Sequence, residues 1–170
     1  MIIELLQDVM KYFGRYRLIS DRIDEQPYLE RYYIFLRERK NFPFNIFIHK
    51  FLKSDLEVLH DHPWDFITIP LWPGYYEYTE NKVEWRRPFS PKYYESKTLH
   101  RIELGPKKYC WTLFIPFRNK REWGFKTDDG WVHNEEYLKE RKNEHELDLA
   151  AAEIQWAATE YLISKNKKIL

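Results

Sequence analysis

Two of the six histidines stand one residue apart in "LHDHPWDF", Leu59 to Phe66. In a strand, alternate side chains share a face, so His60 and His62 point together while Asp61 points away. Two imidazoles aimed at one point suit a metal ion, and a third donor is the next requirement. "KTLHRIEL" offers one: Thr98, His100, Ile102 and Leu104 fall on one face, and Leu99, Arg101 and Glu103 on the other. A lone histidine among apolar inward residues is more often a hydrogen-bonded core group than a ligand. Beside a strand carrying His-x-His, however, His100 completes a set of three imidazoles. Such a set suits zinc, iron or nickel, whereas magnesium and calcium prefer oxygen.

Other residues compete for roles at such a site. Asp65 is a candidate fourth metal ligand; it could instead orient a ligating imidazole or cap the turn made by Pro63. His49 in "FNIFIHKF" alternates with Phe47 and Phe51, which makes it a candidate general base against the reading of a satisfied core histidine. Asp61 is expected to make local turn contacts, and Arg101 to point away from the metal. Cys110 shares a face with Thr112 and reads as a small core residue rather than a nucleophile. His133 and His145 sit in polar surroundings and read as surface residues.

Short strands must position these groups. From about Tyr28 to Trp131, runs such as "RYYIFLRE", "DFITIPLW" and "CWTLFIPF" are β-branched or aromatic and separated by turn residues, the texture of an antiparallel sandwich or barrel. Pro63, Pro70, Pro73 and Pro116 are expected at strand ends, bulges or turns. Before this region, Ile2, Leu5, Leu6, Val9, Met10 and Phe13 mark an amphipathic helix over residues 1–14 that ends at Gly14. After it, Leu147, Ala150, Ala151, Ile154, Ala158, Tyr161 and Leu162 form a helical stripe within about 135–165, with Asn143 and Glu146 as its capping box. Both helices are expected to bury these stripes against the sheet or a second subunit. The expectation is one domain over 1–170, mainly β, with a helix at each end.

Composition narrows the partners. The 28 basic residues nearly balance the 27 acidic ones, for a formal net charge of +1, so charge gives no reason to expect nucleic acid or an anionic membrane. Aromatics make up 18% of residues, enough for a β core and for a ring-lined pocket. The single cysteine excludes an intrachain disulfide. No signal peptide is read at the start, and no apolar run reaches the ~18 residues a membrane helix needs, so a cytoplasmic location is expected.

The residues from Phe44 to Trp131 resemble a cupin, the small double-stranded β-helix barrel. Cupins carry His-x-His with a nearby acid, a hydrophobic-x-Gly turn, and a later stretch holding the third histidine. Here "HDHPWDF" supplies His60 and His62, "LWPGYYEY" supplies the turn at Gly74, and "TLHRIEL" supplies His100. The segment is similar to small, poorly characterised single-domain cupins of phage and bacterial genomes, which share an HDHPWDF-like box and a late WGF…DGW box, here "REWGFKTDDGW". It departs from the cupin pattern in three places. Phe66 and Ile67 stand where the family's glutamate falls, "ESK" replaces a Pro-x-Gly before the third histidine, and Leu104 replaces an Asn.

The resemblance implies a cupin-like barrel binding a divalent metal, with Fe(II) favoured and Zn, Ni or Mn as alternatives. It also implies a metal-dependent, oxygenase-type enzyme, akin to the thiol dioxygenases, acting on a small organic molecule. Two other classes stay open, a non-catalytic small-ligand module and a structural or interaction protein, and a homodimer is an expected assembly.

Overall fold

The computed structural model describes residues 2–37 and 42–167. In chain order its elements are α1 (Ile2–Tyr12), β1 (Tyr16–Ser20), β2 (Pro27–Tyr33), β3 (Phe47–Phe51), β4 (Leu59–His60), β5 (Trp64–Trp72) and β6 (Tyr75–Thr79). There follow β7 (Val83–Arg86), β8 (Lys92–Tyr94), β9 (His100–Leu104), β10 (Cys110–Asn119), β11 (Gly124–Thr127), β12 (Gly130–His133) and α2 (Asn134–Lys167). None of the described helices is long and apolar enough to cross a membrane.

The strands form two antiparallel six-stranded sheets, ordered β1-β2-β3-β10-β5-β8 and β12-β11-β4-β9-β6-β7. Strand sheets therefore begin at Tyr16, upstream of the stretch whose texture marked the β region. Alternation explains the strand choice: along β9 His100, Ile102 and Leu104 are buried while Arg101 and Glu103 are partly open. Arg101 packs its guanidinium 3.6 Å from the Tyr78 ring centre instead of facing the interior. Tyr75, Ile102, Leu104 and Cys110 form one core cluster with Phe51 against it, so Cys110 is a packing residue.

Two prolines fall at bulges, as expected of them. Pro70 lies within β5 and Pro116 within β10, each facing a register irregularity of the β5–β10 ladder. A bulge absorbs the ladder hydrogen bond that proline cannot donate, so the prolines survive in mid-strand.

Asp61 makes contacts far along the chain, not the local turn contacts expected of it. Strand alternation turns it away from the two histidines and into the β11–β12 hairpin. There its buried carboxylate accepts from Gly124 N at 2.8 Å and Trp131 Nε1 at 3.0 Å, and pairs with Arg121. The "HDH" box and the "REWGFKTDDGW" box are thus two halves of one hydrogen-bonded joint. Gly124 is required there because a Cβ would lie 2.1 Å from Val132 O and 2.8 Å from the Trp131 ring.

The helices pack less than their patterns suggest. In α1, Gln7 donates to the Tyr32 hydroxyl at 2.7 Å, but Leu5 and Val9 are exposed, as is Phe13 just beyond the helix. Helix α2 opens at Asn134, whose backbone and side-chain amides both donate to Trp123 O, with Glu135 and Glu136 complementing the helix dipole. Asn143 lies inside this helix and caps nothing. Tyr137 stacks on Phe125 at 4.2 Å, and further on Leu147, Leu149, Ile154 and Trp156 are exposed rather than buried on the sheet. The side chains of Ile2, Leu6, Tyr161 and Leu162 lie outside the described residues.

Substituting Gly124→Ala should destabilise the protein by about 2–3 kcal/mol, because the clash is with backbone that cannot swing aside. Urea denaturation checks this; a midpoint equal to that of the unaltered protein would remove the joint from the account.

Candidate metal centre

The second sheet sets the site by register. His60 on β4 pairs directly with His100 on β9, and His62 follows two residues past His60, beyond the strand end. Its backbone N donates to Ser96 O at 2.9 Å, which holds the turn carrying it. The donor atoms of His60, His62 and His100 lie within 4.8 Å of one another. His62 Nε2 and His100 Nε2 are 2.9 Å apart. Such a separation matches two nitrogens that each bind one ion at ~2.0–2.1 Å.

The protonation states fit a metal. Buried Glu77 on β6, 1% exposed, contacts His100 Nδ1 at 3.0 Å. A carboxylate there holds the proton on Nδ1 and turns the Nε2 lone pair toward the other histidines. Burial alone would raise the Glu77 carboxyl. The hydrogen bond and charge of His100, with hydrogen bonds from Lys92 and Tyr94, outweigh this and hold it at about 2. Lys92 Nζ lies 2.6 Å from Glu77 and Arg86 3.5 Å, so the carboxylate is buried with cations around it. Burial also lowers His60 to about 4 and His62 well below its ordinary value, so both are neutral at pH 7, the state in which a ring nitrogen can bind a metal.

Aromatic rings surround the cluster. Phe66 packs 4.7 Å from the His62 ring and 5.7 Å from that of His100, and lies face to face with Tyr94. Trp123 and Phe125 flank His60. Beside the histidines lies a cavity of about 320 Å³, whose further lining includes Arg31, His49, Phe51, Trp64, Thr112 and Phe114. Its size and apolar walls suit a small organic molecule.

Asp65 is not brought to this cluster. Its oxygens accept from the Tyr93 hydroxyl at 2.6 Å and Ser96 N at 2.9 Å, and pair with Lys120. The Lys120 and Tyr93 hydrogen bonds hold its carboxyl at about 2. Pro63 ends the regular alternation, and β5 restarts with Asp65 turned toward β8 rather than toward the histidines. The carboxylate that orients a histidine is Glu77, which the sequence reading missed. Its signal was a charged residue alternating with inward Tyr75 on a strand beside β9.

His49 lies in the cavity wall on β3, fully buried, with Nε2 accepting from Arg31 Nε at 3.0 Å. Burial, and then the Arg31 charge, keep its pKa well below the ordinary histidine value. A lone pair already engaged by a guanidinium is poorly placed to take a substrate proton. His133 is at the surface beside Glu122.

No protein-family model matches the chain, and no curated protein does. Among solved structures the chain is similar to a cupin-2 domain protein from Rhodospirillum rubrum, with TM-score 0.54 and 10% identity over 68% of this chain and 78% of that one. A cupin-like protein from Thermotoga maritima gives TM-score 0.48 and 16% identity over 65% and 83%. Hydroxypropylphosphonic acid epoxidase from S. wedmorenis gives TM-score 0.47 and 10% identity over 61% of this chain and 56% of the epoxidase. The fold is a cupin-like β barrel, and three of its histidines lie close enough together to bind a metal.

Glu77→Gln should weaken metal binding roughly ten- to a hundredfold, measured by competition with a coloured chelator. Unchanged affinity in folded protein would remove Glu77 from the site.

Asp65→Asn should leave metal content unchanged. It should also flatten the acid limb of stability. A carboxyl at about 2 in the fold and ~3.9 unfolded contributes stability that is present above pH 4 and lost as pH falls toward 2. The gap between the unaltered and Asn proteins in denaturation midpoint should therefore close across that window. A gap that widens, or loss of metal, would contradict this assignment.

Proposed function

We propose that this protein is a metal-binding cupin in which His60, His62 and His100 hold a divalent ion, Fe(II) in the favoured case and Zn, Ni or Mn otherwise. We further propose that it acts as an oxygenase-type enzyme on a small organic molecule in the adjoining cavity. The observation that carries this reading is the 2.9 Å approach of His62 Nε2 to His100 Nε2, with Glu77 on the far nitrogen of His100. Two imidazoles placed so, with His60 beside them, form a candidate set of three nitrogen donors.

A redox-active ion held by three protein ligands would supply open coordination positions for substrate and dioxygen. The chain's own residues do the remaining tasks. Glu77 keeps the proton of His100 on Nδ1, away from the site. Phe66, Phe114 and Phe125 wall the cavity beside the histidines with rings. Among the described residues, the carboxylates and the further imidazole in the cavity lining are already engaged: His49 with Arg31, Asp55 with the Tyr28 hydroxyl and Ile102 N, and Asp21 with Lys53. That arrangement favours chemistry at a metal over general acid–base isomerisation. It is equally suited to a non-catalytic module that holds a small ligand, and consumption of dioxygen with substrate separates the two. The family implied by the sequence boxes is the small cupins of phage and bacteria, and a cytoplasmic, soluble protein fits that reading.

Elemental analysis of protein purified without added metal should find about one transition-metal ion per chain. His62→Ala and His100→Ala should each remove most of it while the far-ultraviolet spectrum stays β-rich. Full metal content in folded His62→Ala and His100→Ala proteins would overturn the proposed ligand set. So would failure of the unaltered protein to take up Fe(II), Zn(II), Ni(II) or Mn(II) on titration.

A further inference from the structure

The cavity has a second polar wall on the other sheet. Arg31, His49 and Thr112 stand side by side across β2, β3 and β10, with Arg31 paired to His49 and His49 to Thr112. All three line the cavity that the histidine cluster lines. Arg31 spends its Nε on His49 and lies 4.7 Å from the Phe47 ring centre. This bond fixes the His49 proton on Nδ1. Among the described residues no carboxylate bonds to Arg31; its guanidinium hydrogen-bonds the Tyr33 side chain, and the Arg17 guanidinium opposes its charge. A half-buried guanidinium without a carboxylate contrasts with Arg86, Arg121 and Arg101, each of which faces an acid. Nearby, fully buried Thr112 Oγ1 has no hydrogen-bond partner, nor has Trp64 Nε1. At the cavity's edge exposed Arg22 lies 5.8 Å from the Trp123 ring, a second cation on the same lining.

We infer that the molecule bound in this cavity carries a carboxylate, seated on the Nη edge of Arg31 beside the Tyr33 hydroxyl. His49 is a positioning residue that anchors the guanidinium through Nε. A planar carboxylate matches the remaining guanidinium fork, and the low-dielectric walls strengthen the pair. The inference deepens the reading of the cavity as a substrate site and supplies the substrate class: a small aromatic or aliphatic carboxylic acid whose other end reaches the histidines.

The test uses benzoate, its neutral isostere benzamide, and phenylphosphonate, titrated calorimetrically into the full chain after chelator treatment and again after Zn(II) loading. The unaltered protein should bind benzoate at least tenfold more tightly than benzamide in both states. Arg31→Gln should abolish that ratio while keeping metal uptake, Arg31→Lys should keep part of it, and His49→Leu should lower the ratio rather than both affinities equally. Four results would overturn the inference: no benzoate binding, no preference over benzamide, a preference that persists in folded Arg31→Gln, or tighter binding of phenylphosphonate than of benzoate. Equal loss of both ligands in His49→Leu would overturn the role given to His49. A preference that survives in protein unable to take up metal would uphold the carboxylate site and overturn the metal reading instead. Metal uptake without any preference would do the reverse.

Discussion

A carboxylate buried next to an imidazole is the interaction on which the site depends. Glu77 is almost wholly removed from water, and an isolated charge there would be strongly unfavourable. Lys92, Arg86 and Tyr94 surround it, so the charge is held within a network rather than alone. Once that network exists, the proton of His100 has one favourable place, on Nδ1, and its Nε2 must face His62 as a lone pair. Breaking one member of such a network leaves another buried charge uncompensated, which costs more than the contact itself contributes.

Asp61 serves the site from the opposite side of the strand. The alternation that turns His60 and His62 into the barrel turns Asp61 out of it, into the hairpin of β11 and β12. Its bonds to Gly124 and Trp131 hold that hairpin beside β4, and the hairpin brings Phe125 and neighbouring Trp123 against His60. One three-residue stretch therefore faces two ways, with two histidines of the cluster on one side and the joint that walls them in on the other.

Much of this was legible in the chain. Period-two alternation marked β9 and placed His100 inward, because a strand with one buried face has little freedom of register. The mainly β architecture with a helix at each end followed from short aromatic runs and the terminal helical patterns. What stayed hidden depended on pairing between distant strands. Glu77 gains its role only because β6 lies beside β9, and Arg31 only because β2 lies beside β3. Asp65 was open to three roles in the chain, and only the pairing of β5 with β8 shows its partners, Tyr93, Ser96 and Lys120. The exposed Leu147 and Ile154 show the complementary limit of periodicity: it locates a stripe but does not say what covers it.

The central claim is that three imidazoles share one ion, and X-ray absorption at the metal edge tests it most directly. Protein loaded with one equivalent of Zn(II) should show a first shell of nitrogen or oxygen at ~2.0–2.1 Å. It should also show the outer-shell scattering pattern of about three imidazole rings, reduced by one ring in His62→Ala. A shell of oxygens with no imidazole scattering, or a pattern unchanged in His62→Ala, would contradict the account.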